Sequence, residues 1–160
     1  MSELRVGIGF DAHAFGGVAP LVLGGVTFPG EQGLVAHSDG DVIAHALTDA
    51  LLGAAGLGDI GVLFPSDDES RGASSLDLLA RAWGSAQASG FDLVNADCIL
   101  VGERPRLAPL RDEMCARLAG ALGVEPTRIS VRATTTDRLG FTGRGEGLAA
   151  QAVALLRKRD

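Results

Sequence analysis

AHSDGDVIAHALTDALLGAAGLGDIG (36–61) holds the clearest element of this 160-residue chain. Its spacing predicts a helix over 41–55, capped by Ser38 or Asp39. Ile43, Leu47, Ala50, Leu51 and Ala54 recur at helical intervals and make one apolar stripe. Asp41, His45 and Asp49 follow each other four residues apart and share another face. At about 100° per residue, His45 lies nearly opposite the centre of the stripe. Leu52 lies on the side of His45, so both sides of this helix are expected to be covered. Gly53, Gly56 and Gly58 end it.

Outward from that helix, residues 3–10 read as a strand, with Leu4, Val6, Ile8 and Phe10 alternating against Glu3, Arg5, Gly7 and Gly9. A second extended run at Leu21–Leu23 is bounded by Gly24-Gly25, and 29–33 is loop-like. A loop spans 61–73 and is the best candidate for a mobile segment. Helices are expected over 75–89, with Leu76, Leu79, Trp83 and Ala86 on one face, and over 108–122, with Leu110, Met114, Leu118 and Leu122 inward. Strands are expected over 91–101 and 128–135, and the sequence Arg104-Pro105-Arg106 breaks the first. A glycine-rich segment, 140–147, leads into a last expected helix over 147–158, with Arg157, Lys158 and Arg159 at its C-terminal end. No repeat or linker interrupts the pattern. It points to one domain over 1–160, an α/β or α+β layer sandwich.

Bulk properties narrow the function. A net charge of −6 argues against a nucleic-acid duplex or an anionic membrane as partner. One Trp and no Tyr leave little for base stacking. Twenty-three glycines suggest tight turns or close backbone approach to a ligand. Cys98 and Cys115 lack metal-ligand spacing and read as free thiols. The first ten residues carry Glu3 and Arg5 and no apolar run, and no segment reaches the roughly 20 apolar residues of a membrane span. The cytoplasm is the expected location.

His13, His37 and His45 are the only histidines of the chain. On extended backbone, residues i and i+2 point to the same side. Asp11 and His13 can therefore grip one ion, and His45 can supply a third ligand. Two imidazoles and a carboxylate suit zinc, and three protein ligands leave a position open for substrate. A capping Asp with scattered polar histidines is the other reading the spacing allows. His37 and Ser38 place donors near a helix N-terminus, where the backbone favours anions; a plain N-cap with acidic first-turn residues is the alternative. Thr134, Thr135 and Thr136 can donate to phosphate oxygens, with Asp137 as ligand to a hard cation such as Mg²⁺. Strand propensity alone also accounts for three threonines. The segment 140–147 is neither a Walker loop nor a dinucleotide fingerprint, although Arg144 can reach a phosphate. Asp59, Asp67 and Asp68 can hold sugar hydroxyls or stay solvated.

Together these residues resemble the 2-C-methyl-D-erythritol 2,4-cyclodiphosphate synthase family of the non-mevalonate isoprenoid pathway. The resemblance is carried by GFDAH (9–13), GGV (24–26), the block 36–61, ATTT (133–136) and LGFTGRGEG (139–147). It implies an α+β subunit, a two-layer sandwich with a mixed sheet and helices on one face. Three subunits are implied around a three-fold axis, with active sites between neighbours. It implies zinc on Asp11, His13 and His45, and a second divalent cation, Mg²⁺ or Mn²⁺, at Asp137. His37 and Thr135 match the catalytic positions that stabilise the transition state.

The same resemblance places Asp11, Ala12 and His13 beside the substrate, and Ser38, Asp59, Ile60 and Gly61 around its methylerythritol part. Phe64, Pro65, Ser66, Asp67 and Asp68 are implied substrate contacts, with Ser66-Asp67-Asp68 standing where the family often has Asp-Thr-Asp. Gly102, Glu103, Arg104, Pro105, Arg106, Leu107 and Ala108 match the cytidine pocket, beside Thr134 and Thr136. Phe141 and Arg144 are implied ligand contacts, and Phe10 and Arg144 fall where the family lines the trimer axis, a place for an isoprenoid diphosphate. Asp137 stands where the family usually has Glu, one methylene longer, and Arg106 and Arg132 stand for Lys. The implied reaction is intramolecular: the 2-phosphate attacks the β-phosphorus of a cytidine-diphosphate-linked substrate and CMP leaves, so no protein nucleophile is needed. The readings without catalysis are a metal-stapled trimeric binding module and a sensor of isoprenoid diphosphates.

Overall fold

The computed structural model describes residues 3–18, 20–65 and 71–160. Strand β1 (Leu4–Gly17) is followed by a small hairpin, β2 (Leu21–Leu23) and β3 (Val26–Phe28), and by β4 (Gly33–Leu34). Helix α1 (Val42–Ala55), a single turn α2 (Ile60–Leu63) and helix α3 (Ser75–Ala88) come next. Strand β5 (Phe91–Val101), helix α4 (Arg111–Leu122), strand β6 (Ile129–Thr134), a turn α5 (Gly140–Gly143) and strand β7 (Gly147–Lys158) complete the order. The five-stranded sheet runs β4-β1-β7-β5-β6. Its pairs are antiparallel except β5 with β6, so the sheet is mixed.

The sheet is covered by helices on one face. Register aligns Gly7 with Ala154, Gly9 with Ala152, Asp11 with Ala150 and His13 with Leu148. These positions share the face that α1 packs on. Small residues are needed there, since a Cβ at Gly9 would fall 1.9 Å from the Ala46 carbonyl oxygen and one at Gly7 2.0 Å from that of Ala50. The other face begins with Val6, Ile8 and Phe10, which are 70%, 62% and 60% exposed, beside Val153 at 43%.

Helix α1 is buried along nearly its whole length, as expected from apolar residues on both sides. Its N-cap is Asp41, not Ser38 or Asp39. The Asp41 carboxylate is fully buried and accepts from the Ala44 amide (3.0 Å) and from Gly24 and Gly25 (2.9 and 2.7 Å), stapling the β2–β3 turn to the helix start. Gly24 and Gly25 both have positive φ, which lets their two amides converge on one carboxylate.

Three other expectations need correction. The first strand runs to Gly17 instead of ending at residue 10, because its far half finds β4 and β7 as partners. The loop expected from Gly61 is preceded and entered by α2, which Asp59 caps through the Val62 amide (2.9 Å). Residues 147–158, expected as a helix, form β7, the strand between β1 and β5. Ala and Leu favour a helix in isolation, but two waiting strand edges supply hydrogen bonds along the whole segment. Its Leu148, Ala150, Ala152, Ala154 and Leu156 pack inward, and Gln151, Val153 and Arg157 point away from the helices. Ser66, Asp67 and Asp68 lie outside the described residues. Among the described residues, no helix is long and apolar enough to cross a membrane.

Candidate active site

Strand parity builds the site. Asp11 and His13 continue the row of Gly7 and Gly9, so they face α1, and His45 on that helix meets them. Asp11 Oδ2 lies 3.0 Å from His13 Nε2 and 3.0 Å from His45 Nδ1. The two imidazole rings stand edge to face with centroids 5.8 Å apart. The three ligand atoms all fall within 4.8 Å of one another. The edge of a tetrahedron with bonds of about 2.0–2.1 Å is about 3.3 Å, so the two carboxylate–imidazole distances of 3.0 Å lie close to what a zinc-sized ion needs.

Electrostatics agree with a cation position. Burial by itself would raise the Asp11 carboxyl, but hydrogen bonds and positive charge from His13 and His45 outweigh it and hold it well below the usual carboxylate range. The Asp11 hydrogen bond pushes His13 up, against the opposing effect of its burial.

A cavity of about 200 Å³ opens beside the cluster, lined by Asp11, His13, Ala36, His37, Ser38, His45, Ile60, Gly61, Phe64 and Leu78. A second cavity of about 630 Å³ shares Ala36, His37 and Ser38 with it and reaches toward Val22 and Arg71. Asp49, on the same side of α1, accepts the Ile60 amide at 2.7 Å and so fixes the 59–61 turn at the cavity edge. Burial raises the Asp49 carboxyl despite that bond, with Asp59 and Asp11 adding repulsion. Phe64 carries the Arg81 guanidinium over its ring at 4.7 Å.

The remaining expected residues gather elsewhere. Residues 102–108 follow β5 and Thr134 ends β6, strands that are joined at Val101 and Thr134. Strand β7 separates them from Asp11 and His13, and none of them lines the cavity beside that cluster. Thr134, Thr135, Asp137, Phe141 and Arg144 are all exposed. Thr135 Oγ lies 3.3 Å from Asp137 Oδ1. Thr136 is held structurally, donating to the Leu139 carbonyl (2.7 Å) and meeting Thr142 Oγ (3.0 Å). Glu103 accepts the Arg138 amide at 3.0 Å, bracing a turn in which Asp137 and Arg138 both have positive φ. The Leu107 side chain is in the core. Arg104 stacks over Phe15 at 5.2 Å, and Arg144 pairs with Glu146 at 2.9 Å.

Two polar residues around His45 escape a reading of the sequence. Ser75 is fully buried, its hydroxyl 2.8 Å from His45 Nε2 and hydrogen-bonded to Asp39 Oδ1. Asp39, expected as a possible cap of α1, turns to Ser75 instead. The only local signal is a serine at the first helical position of α3, where a cap would already suffice at Ser74.

A family model described as the YgbB family matches residues 4–157. A curated relative from Cronobacter sakazakii, named 2-C-methyl-D-erythritol 2,4-cyclodiphosphate synthase, is 56% identical over 97% of this chain and 98% of its own. The bifunctional IspDF of Campylobacter jejuni superposes with a TM-score of 0.96 at 45% identity, over 100% of this chain and 44% of that longer one. The IspF of Plasmodium falciparum, solved as a CDP complex, superposes with a TM-score of 0.85 at 29% identity, over 98% of this chain and 97% of its own.

Proposed function

Because the chain belongs to the YgbB family, we infer that it is a 2-C-methyl-D-erythritol 2,4-cyclodiphosphate synthase. It converts 4-diphosphocytidyl-2-C-methyl-D-erythritol 2-phosphate to the cyclic diphosphate and releases CMP, a step of isoprenoid precursor synthesis. The observation that carries this reading is near-complete coverage at 56% identity by a synthase, together with an acid–imidazole cluster at the mouth of a cavity.

Asp11, His13 and His45 would hold zinc, and Asp137 a second cation, Mg²⁺ or Mn²⁺. A divalent ion at the first site supplies positive charge for phosphate oxygens beside the cavity. The protein's own groups then bind and orient. An oxygen of the substrate's 2-phosphate forms a new bond to the β-phosphorus, and the bond from that phosphorus to the bridging oxygen breaks, leaving with CMP. Since both reacting phosphates belong to one molecule, catalysis consists of alignment and charge neutralisation. Exposed His37 at the cavity rim and the Thr135 hydroxyl are the donors assigned to the shifting negative charge. Ser38, Asp59, Ile60 and Gly61 would receive the methylerythritol part, and 102–108 with Thr134 the cytidine.

The separation of the 102–108 and threonine cluster from the metal cavity favours a site completed by a neighbouring subunit. The exposed row of Val6, Ile8 and Phe10 with Val153 favours a homotrimer joined on that face. Phe10 and Arg144 would then approach the axis, with room for an isoprenoid diphosphate. Incubation of the purified protein with the cytidine-diphosphate substrate, Zn²⁺ and Mg²⁺ should yield stoichiometric CMP and cyclic diphosphate. Tight binding of the substrate with no CMP would instead make the chain a binding protein.

A further inference from the structure

We propose that Asp39 and Ser75 form a relay that fixes the tautomer of His45 and thereby sets the metal affinity of the site. The proposal rests on Asp11, His13 and His45 being a metal centre.

Counting protons leads to it. The Asp39 carboxylate can only accept. It takes the Ser75 amide (3.1 Å) on Oδ2, and the Asp41 amide (3.2 Å) and the Ser75 hydroxyl on Oδ1. The Ser75 hydroxyl proton is therefore committed to Asp39, and the Ser75 oxygen faces His45 Nε2 at 2.8 Å with lone pairs only. Nε2 must carry the hydrogen of that bond. In a neutral ring this leaves the lone pair on Nδ1, the nitrogen aimed at Asp11. Two acceptors then oppose each other across 3.0 Å, an arrangement that a cation between them resolves. Ser38 Oγ also approaches Nε2, at 3.1 Å, where it can share the same hydrogen; it accepts the Gly40 amide at 3.3 Å and lies 3.5 Å from the Ser75 hydroxyl, a longer contact than that hydroxyl makes to Asp39. Ser75 is the shorter contact, it is fully buried, and it alone has a carboxylate behind it.

The relay has no contact with Asp11 or His13. It acts through His45, so Asp39 and Ser75 are positioning residues. Outer partners of metal-bound histidines typically alter metal affinity by about 10–100-fold. Full-length wild type, Ser75→Ala, Asp39→Asn and the double variant are to be titrated with Zn²⁺ against a chromophoric chelator. Thermal midpoints of the metal-free proteins control for folding, and Asp39→Asn preserves side-chain volume should Ser75→Ala fold poorly. Wild type should bind one zinc per chain at this site. Each single variant should bind it about 10–100-fold more weakly, and the double variant no more weakly than the worse single one, because the two groups act in series. Zinc affinity in both single variants within about twofold of wild type overturns the relay, as does fully additive weakening. Wild type that binds no zinc removes the metal centre itself, and the relay with it.

Discussion

The two faces of strand β1 are opposites. One face presents Gly7 and Gly9 and then, without a change of parity, Asp11 and His13. The other presents Val6, Ile8 and Phe10, the bulkier and more apolar set, and these are the exposed ones. Bulk is therefore misleading as a guide to burial. The covered face is small because α1 lies against backbone there. The same close approach brings His45 within hydrogen-bond distance of Asp11, so packing and chemistry share one cause. The open face carries large side chains, and none of the described residues covers Val6, Ile8 or Phe10. The chain fits its own helix closely on one side of β1 and leaves an apolar row exposed on the other.

Substitutions on the covered face test the first half of that contrast and should have the largest effects. Gly9→Val puts a branched side chain where even a Cβ meets the Ala46 carbonyl at 1.9 Å. Overpacking commonly costs about 1–3 kcal/mol, and collision with helix backbone should exceed that. Loss of cooperative thermal unfolding is the expected outcome; a melting curve like that of wild type would show that α1 can ride further from the sheet. Two residues along the chain from Asp11, His13→Ala should leave the fold intact, since the ring is partly exposed and forms no core. Bound zinc, measured by elemental analysis, should vanish, and turnover should fall roughly 10²–10⁴-fold, the rate equivalent of several kcal/mol. Full CMP release from a zinc-free His13→Ala protein would cut the link between the covered face and catalysis.

On the open face the expected effect is on association. Ile8→Asp adds a charge that the isolated subunit tolerates in water but that an interface would have to desolvate without a partner. Analytical ultracentrifugation should show the proposed trimer in wild type and monomer in the variant, with helical circular dichroism retained. Turnover should fall with the trimer and recover in part as protein concentration rises. A monomeric wild type would remove the proposed interface, and a trimer indifferent to Ile8→Asp would move it elsewhere.

Much of this contrast is legible in the residues themselves, and the failures have physical reasons. The alternation along 3–10 identifies two faces, and the pairing of Asp11 with His13 follows from strand parity. The phase of 41–55 places His45 away from the main apolar stripe, where Asp11 meets it. The choice of which face is covered is not legible, because the helix that decides it selects glycine and alanine, residues with no hydrophobic signature of their own. Residues 147–158 fail for a related reason. Alanine packed under α1 reads as helix propensity, and only the two neighbouring strands reveal the segment as β7. The roles of Ser75 and Asp39 are not encoded locally at all, since they depend on segments distant in sequence meeting around one imidazole nitrogen.

The open face is itself divided, and its far half should respond least. On β5 and β6 it carries Asp97 and Arg132, paired at 2.9 Å with both side chains largely in water. Such pairs contribute little to stability, because exposed charges gain little from each other in water and the ordered side chains lose entropy. Arg132→Ala should therefore leave the midpoint of denaturant unfolding close to that of wild type, with the oligomeric mass unchanged. That small effect has content when set beside Ile8→Asp, because both positions lie on one side of one sheet. If Arg132→Ala were to dissociate the protein as readily, association would depend on the polar strands as much as on β1 and β7. The apolar row would then be only one part of a wider interface. If only Ile8→Asp acts, self-association is confined to the strands whose other face carries α1 and the candidate metal ligands.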